Sequence, residues 1–394
     1  MEDERSIPAN ESAAAKVENP AVGLAERFAG PVAAAADVIE RDRALPDQLV
    51  QEMKAAGVFR QLVPKWLGGL SVSLPDFVRA MQVYAEADAS CAWCVAQGAV
   101  IATTSLWLPE ASARELWSDP DCAVANGPPR DCRAEPVSAD PDAGYRVTGR
   151  WGFSSGSAHA TWMHGALRRS PDDAWMGVYF PKAVADFHDN WQVAGLKGTG
   201  SLEFSVADLP VQGEWLTDFR KPPLDAGALY RIPIALVFAV SFGSVALGVA
   251  RAGMDAAIAL ARDKVPGYSA TTLRDDPDMQ QLVGQAEMRW HAARAYLQHT
   301  VERIWHALAG QEEILPAQRI DLRMAGTHAI AEAVSVLDIA YRVAGSSAIY
   351  QDNPLQRRFQ DMHVISQRVQ GRPSHYGVVG RYFLGHPFRP GPMI

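Results

Sequence analysis

Residues 149–156 read Gly149-Arg150-Trp151-Gly152-Phe153-Ser154-Ser155-Gly156, and residues 195–201 read Gly195-Leu196-Lys197-Gly198-Thr199-Gly200-Ser201. Each stretch borders a segment with strand periodicity and offers backbone N–H groups beside hydroxyls. Glycine-rich loops of this kind suit hydrogen bonding to a polar ring or a phosphate. On spacing alone they also read as ordinary turns, so their setting in the chain decides.

Around the first loop, Tyr145, Val147, Trp151 and Phe153 alternate with smaller or polar residues, a period of two. Residues 174–180 and 202–208 are further short strand candidates, and proline, glycine and aspartate become frequent near residue 118. Residues 118–215 therefore read as a small β domain. On either side the period becomes helical. Leu49, Met53 and Ala56 repeat at helix spacing, with Gly57 as a stop. Ser73-Leu74-Pro75-Asp76 starts a helix carrying Phe77, Met81 and Tyr84 on one stripe, and another starts at Pro109. Downstream, Met279, Val283, Ala286, Trp290, Ala293 and Leu297 trace one face over several turns, and residues 317–343 and 353–369 continue in the same manner. Up to four long helices predict an antiparallel bundle. The expected layout is a flexible tail over 1–20, a helical domain over 21–117, the β domain, and a helical bundle over 216–394. The fold class is α+β, mostly α.

Composition narrows the function. A chain of 394 residues allows two or three structural units. With 37 basic and 45 acidic residues the net charge is −8, against a nucleic-acid binder or a polybasic membrane-surface protein. Four cysteines do not make a disulfide scaffold, and Cys91-x-x-Cys94 lacks further ligands at zinc spacing, so no metal site is expected. Residues 232–250 carry no charge over 19 positions, but Pro233, Gly243 and Gly248 interrupt them, and they read as a buried helix. The polar N-terminus has no apolar signal region, so a soluble cytoplasmic protein is expected. There is no GxGxxG, P-loop, GxSxG or HExxH motif.

Helices, then two hydroxyl-bearing loops on a β domain, then a four-helix bundle resembles the acyl-CoA dehydrogenase superfamily over residues 20–390. The two loops carry the resemblance together with Val63-Pro64-Lys65-Trp66-Leu67-Gly68-Gly69, Gly345-Ser346-Ser347-Ala348-Ile349-Tyr350 and Asn353-Pro354-Leu355-Gln356-Arg357. They look most like the oxygenase branch: two-component flavin-dependent monooxygenases of the hydroxyphenylacetate hydroxylase, nitrososynthase and dibenzothiophene monooxygenase type. The resemblance implies a central small β-barrel domain and a homotetramer with flavin sites completed across subunits. It implies FMNH2 or FADH2 delivered by a separate NAD(P)H-flavin reductase, O2 as co-substrate, and C4a-hydroperoxyflavin as the oxidant.

By the same resemblance, Trp151, Phe153, Ser154 and Ser155 fall where the isoalloxazine lies, with the Ser155 hydroxyl near flavin N5. Lys197, Thr199 and Ser201 fall on the loop that closes over it. Arg251 and Arg274 are candidates for the flavin phosphates, with a solvated helix face as the plain reading of each. Trp93, Gln97, Ile101, Trp107, Arg368 and His375 are expected on the substrate side, where Ile101 favours an apolar or aromatic molecule.

A dehydrogenase of this family needs a carboxylate base for the substrate α-proton. Residues 362–394 and 227–254, the two segments that carry it, contain no Asp or Glu. Phenol-hydroxylating relatives place histidines where Ile101 and Arg368 stand here. Arginine is not a base near neutral pH, so Arg368 suits an anionic substrate group or the hydroperoxide, and His363 or His375 is the candidate histidine. Gln360 replaces the arginine usual before Asp361. Two other readings stay open: a dehydrogenase or oxidase with tightly bound FAD and an unusual base, and a catalytically silent scaffold.

Overall fold

In the computed structural model, the described residues are 20–138, 143–391 and 393–394; the tail expected over 1–20 lies almost wholly outside them. Five helices come first: α1 (Pro20–Asp42), α2 (Asp47–Ala55), α3 (Leu74–Ala87), α4 (Ala89–Ala102) and α5 (Glu110–Ser118). Their starts follow from the residues. The Ser73 hydroxyl accepts the Asp76 N–H at the head of α3, and Asp88 accepts the Cys91 N–H at the head of α4.

Eight strands follow: β1 (Val124–Gly127), β2 (Arg133–Pro136), β3 (Tyr145–Trp151), β4 (Trp162–Arg169), β5 (Ala174–Pro181), β6 (Asp186–His188), β7 (Glu203–Val211) and β8 (Leu216–Thr217). They form one sheet in the order β6-β7-β3-β2-β4-β5-β8, with β1 added parallel to β4. The sheet curls around Trp151. Phe204 of β7 stacks on that indole at 5.1 Å, and a Cβ at Gly165 of β4 would come within 2.5 Å of it.

The chain ends in α6 (Ile234–Asp263), α7 (Pro277–Leu308), α8 (Pro316–Ala344), α9 (Pro354–Ser366) and α10 (Ser374–Phe383). The uncharged stretch at 232–250 opens α6, whose residues 239–250 are all buried. Two helical segments, Ala89–Trp107 and Ile234–Asp263, are long and apolar enough to cross a membrane, yet both are buried within the fold. The long helices approach closely because α6 and α8 present small residues. A Cβ at Gly326 would lie 2.6 Å from the Ala239 carbonyl, and one at Gly248 would lie 2.4 Å from the Gln82 carbonyl on α3.

A branched side chain at either contact must push two helices apart, and overpacking of this kind costs roughly 1–3 kcal/mol. Gly326→Val is therefore expected to lower the thermal unfolding midpoint. An unchanged midpoint contradicts close α6–α8 contact.

Candidate active site

The two loops singled out in the sequence lie side by side. The Gly156 N–H donates to the Thr199 carbonyl at 2.9 Å, and the Ser154 N–H to the Leu202 carbonyl at 3.0 Å. Phe153 and Leu196 adopt left-handed backbone, with φ of 56° and 52°, which turns each loop sharply at its head. Phe153 is thereby pushed outward, 48% exposed, with its ring edge-on to Trp191.

Inside the junction runs a chain of hydrogen bonds. Trp93 Nε1 on α4 donates to Ser155 Oγ at 3.1 Å. Ser155 Oγ lies 2.7 Å from Ser201 Oγ, and Ser201 Oγ lies 2.7 Å from Thr199 Oγ1. Thr199 Oγ1 donates to the Leu196 carbonyl at 2.8 Å. Each hydroxyl has one proton to give, so the chain has one sense. Thr199 is committed to the carbonyl, Ser201 gives its proton to Thr199, and Ser155 gives its proton to Ser201. Ser155 keeps one free lone pair and no free proton, and so presents an acceptor.

The loop at 195–201 is held from three sides. The Leu196 N–H donates to Asp361 Oδ1 on α9 at 2.5 Å. A Cβ at Gly195 would fall 2.3 Å from the Gln360 carbonyl, so only glycine fits there. Lys197 pairs with Glu40 of α1 at 2.7 Å. Burial, and then the neighbouring Asp88, push the Asp361 carboxyl up to about 7.

Around this core stand aromatic rings and two unpartnered polar atoms. Trp93 stacks on Phe242 of α6 at 3.8 Å, and Phe242 stacks on Phe238 at 5.5 Å. Gln97 gives its Nε2 to Asn126 on β1 and leaves Oε1 buried with no partner. The Arg368 guanidinium lies over the rings of Trp93 and Phe153, and its buried Nε has no partner.

Several expected site residues are placed elsewhere. The Trp151 ring is a core residue of the sheet, fully buried, with its Nε1 donating to the Ala166 carbonyl. Ile101 packs against Val63 and Leu106 in the apolar core between helices and sheet. Trp107 lines a separate apolar cavity of about 290 Å³ with Phe219, Tyr230 and Val237. Arg251 is paired with Asp255 and Glu287, and Arg274 is exposed beside Asp275. His363 sits 3.3 Å from Asp338 on the bundle surface. His375 donates its Nε2–H to the Val369 carbonyl at 2.6 Å and so braces the segment next to Arg368, while burial lowers its pKa. Ser155, Ser201, Thr199, Trp93, Phe153 and Arg368 do come together, and Gln97 lies one turn after Trp93 on α4. A polar cleft of about 690 Å³ opens behind Lys197, lined also by Glu40, Arg41, Arg43 and Arg357.

Comparison with known proteins agrees with this geometry. The chain matches the family models "Acyl-CoA dehydrogenase, N-terminal domain" over residues 18–109 and "Acyl-CoA dehydrogenase, C-terminal domain" over residues 240–371. It is 33% identical to an indole-3-acetate monooxygenase of Pseudomonas putida, over 89% of this chain and 90% of that one. The chain belongs to the acyl-CoA dehydrogenase family. Within it, this is a flavin-dependent monooxygenase, an oxidoreductase using reduced flavin and O2. A second relative is the flavin-dependent monooxygenase oxygenase subunit HsaA of Rhodococcus jostii, 25% identical over 88% of this chain and 93% of that one. The fold of XiaF from Streptomyces sp., solved in complex with FADH2, superposes with a TM-score of 0.86 at 21% identity, covering 95% of this chain and 96% of that one.

The residues of this oxygenase fit the flavin. The free acceptor on Ser155 and the exposed Phe153 ring provide a hydrogen bond and a flat surface for a polar ring system. Among the described residues of α9 and α10 the one carboxyl is Asp361, whose Oδ1 accepts the Leu196 N–H.

Because the Asp361 pKa is raised above its ordinary value of 3.8, the fold binds this proton more tightly than the unfolded chain. Its contribution to stability is complete below pH of about 4 and is lost as pH rises through about 7. Asp361→Asn keeps an acceptor for Leu196 and removes the titration. Between pH 4.5 and pH 8 the wild type is expected to lose thermal stability relative to this variant. Parallel pH profiles contradict a protonated Asp361.

Proposed function

We propose that the protein is the oxygenase component of a two-component system that oxygenates a small planar aromatic molecule. A separate NAD(P)H-dependent reductase supplies reduced FMN or FAD. Bound against the two loops, reduced flavin would supply the electrons that activate O2 for transfer.

The observation that carries this reading is the direction of the Trp93–Ser155–Ser201–Thr199 chain. A reduced isoalloxazine bears an N–H at N5, whereas the oxidised ring bears a bare acceptor there. Ser155 offers an acceptor and no free proton, so it pairs with the reduced ring and meets the oxidised ring with two facing lone pairs. A site built to receive reduced flavin from another protein needs that preference.

Thr199 and Ser201 hold the Ser155 proton away from the ring, Phe153 covers it, and Lys197 positions the closing loop through Glu40. Arg274 is exposed, and we infer that it meets the flavin phosphates. On the substrate side, Trp93, Phe242 and Phe238 form an aromatic wall, and Gln97 Oε1 accepts a substrate N–H or O–H. The P. putida relative is named for indole-3-acetate, and an indole-like ring fits such a wall. The buried free thiols of Cys91, Cys94, Cys122 and Cys132 accord with a cytoplasmic protein. We infer a homotetramer, as the family resemblance implies, with the exposed apolar side chains of Tyr376, Phe383 and Leu384 on and after α10 as a contact surface; light scattering is expected to give four times the chain mass, and a monomer contradicts this.

Anaerobic titration with reduced and oxidised flavin tests the central point. Wild type is expected to bind the reduced form more tightly. Ser201→Ala releases the Ser155 proton to face the ring, and the preference should shrink roughly 5- to 10-fold, the worth of one hydrogen bond of about 1 kcal/mol. Equal affinity of wild type for both forms contradicts the reading. In turnover with a flavin reductase, Ser155→Ala is expected to release more hydrogen peroxide per product; unchanged coupling contradicts a role for Ser155 at the ring.

A further inference from the structure

We infer that Arg368 is the anchor for a substrate carboxylate, so that the aromatic substrate proposed above is an aryl acid with its carboxylate on a short arm.

Among the described residues the Arg368 side chain has no ion pair and no hydrogen bond, and its Nε is buried without a partner. No acidic residue follows Asp361 in the sequence, and Asp361 is occupied by the Leu196 amide. Burial lowers the Arg368 pKa to about 10, with no nearby acid acting on it, and the guanidinium is still charged at neutral pH. The residue is half-buried, and a cation partly withdrawn from water without a counter-ion gains from a ligand that brings one.

The geometry shows which ligand. The guanidinium carbon is 5.5 Å from the Trp93 ring centroid and 5.7 Å from that of Phe153. The guanidinium carbon lies over both ring faces, and none of its N–H groups is taken by an acid among the described residues. A carboxylate takes two such N–H groups in one plane. Trp93 also ties this cation to the reaction centre, giving its ring to Arg368 and its Nε1 to Ser155. An aryl acid bound to Arg368 therefore has its ring beside the Trp93–Phe242 wall, next to the Ser155 hydroxyl. His375 keeps the segment in place through the Val369 carbonyl.

A reduced flavin is itself anionic and is the other source of negative charge beside these residues, so the test separates the two. This inference rests on the flavin-oxygenase reading. That reading fails independently if no variant binds reduced flavin; the ligand measurements below are therefore made both on flavin-free protein and on anaerobic protein loaded with reduced flavin.

The probes are indole-3-acetate and its neutral counterpart indole-3-acetamide, measured by calorimetry without O2. Wild type is expected to bind the acid at least tenfold more tightly than the amide. Arg368→Gln should abolish that preference to within about twofold, and Arg368→Lys, which keeps charge but not the planar fork, should restore part of it. Reduced-flavin affinity should stay within twofold in both variants. Equal binding of acid and amide by wild type overturns the inference, a result that needs no variant to fold. So does a preference that survives in Arg368→Gln, or a loss confined to reduced-flavin affinity, which would make the flavin the anion at this site.

Discussion

The peptide of Leu196 is the joint on which the site depends. Its N–H is bound by the Asp361 carboxyl of α9 at 2.5 Å. Its carbonyl accepts the Thr199 hydroxyl at 2.8 Å and the Trp191 indole N–H at 3.3 Å. The residue is left-handed, a conformation that a leucine adopts only when its surroundings compel it. One backbone unit thus ties the β-domain loop to the C-terminal helices. It also ends the hydroxyl chain that begins on α4. Without the carbonyl as a terminal acceptor, neither Thr199 nor Ser201 has a fixed proton direction, and Ser155 has no defined role toward a ligand.

The remaining architecture serves this joint. Small residues let α3, α6 and α8 pack closely, which fixes where α6 carries Phe238 and Phe242 against Trp93. The curled sheet, packed around Trp151, fixes the loop that leaves β3 at Phe153. A rigid hydroxyl chain and a wall of stacked rings produce a site that is preorganised before any ligand arrives, which is the condition for electrostatic control of a reaction. Among the described residues of the site, Arg368 is a cation that lies over ring faces and pairs with no acid.

Much of the fold was legible because it is written in local periodicity. The helix starts at Ser73 and Pro109, the strands at 145–151 and 174–181, and the uncharged core of α6 all follow from short-range patterns. The glycine–serine loops were legible as a pair, and Ser155, Thr199, Ser201 and Trp93 do converge. What sequence could not show was direction and distance. Trp151 alternates correctly as a strand residue, but periodicity does not say which face of a curled sheet is inside. Arg251 looks like a free cation until Glu287, 36 residues away, folds beside it. His375 and His363 are near Arg368 in sequence, yet one turns to a carbonyl and the other to Asp338. The role of Asp361 depends on a contact 165 residues distant, and only its burial beside the Gly195 turn reveals it. The CxxC pair carries no chemistry by this account, since both thiols are buried on α4 and held protonated by that burial.

The most direct test of the account is the fate of oxygen in a single turnover. Protein loaded with reduced flavin is mixed with indole-3-acetate and 18O2, and the product is analysed by mass spectrometry. The account predicts a product carrying 18O from O2, with formation dependent on Ser155. An unlabelled product, or quantitative return of the oxygen as hydrogen peroxide across a panel of aryl acids, contradicts it.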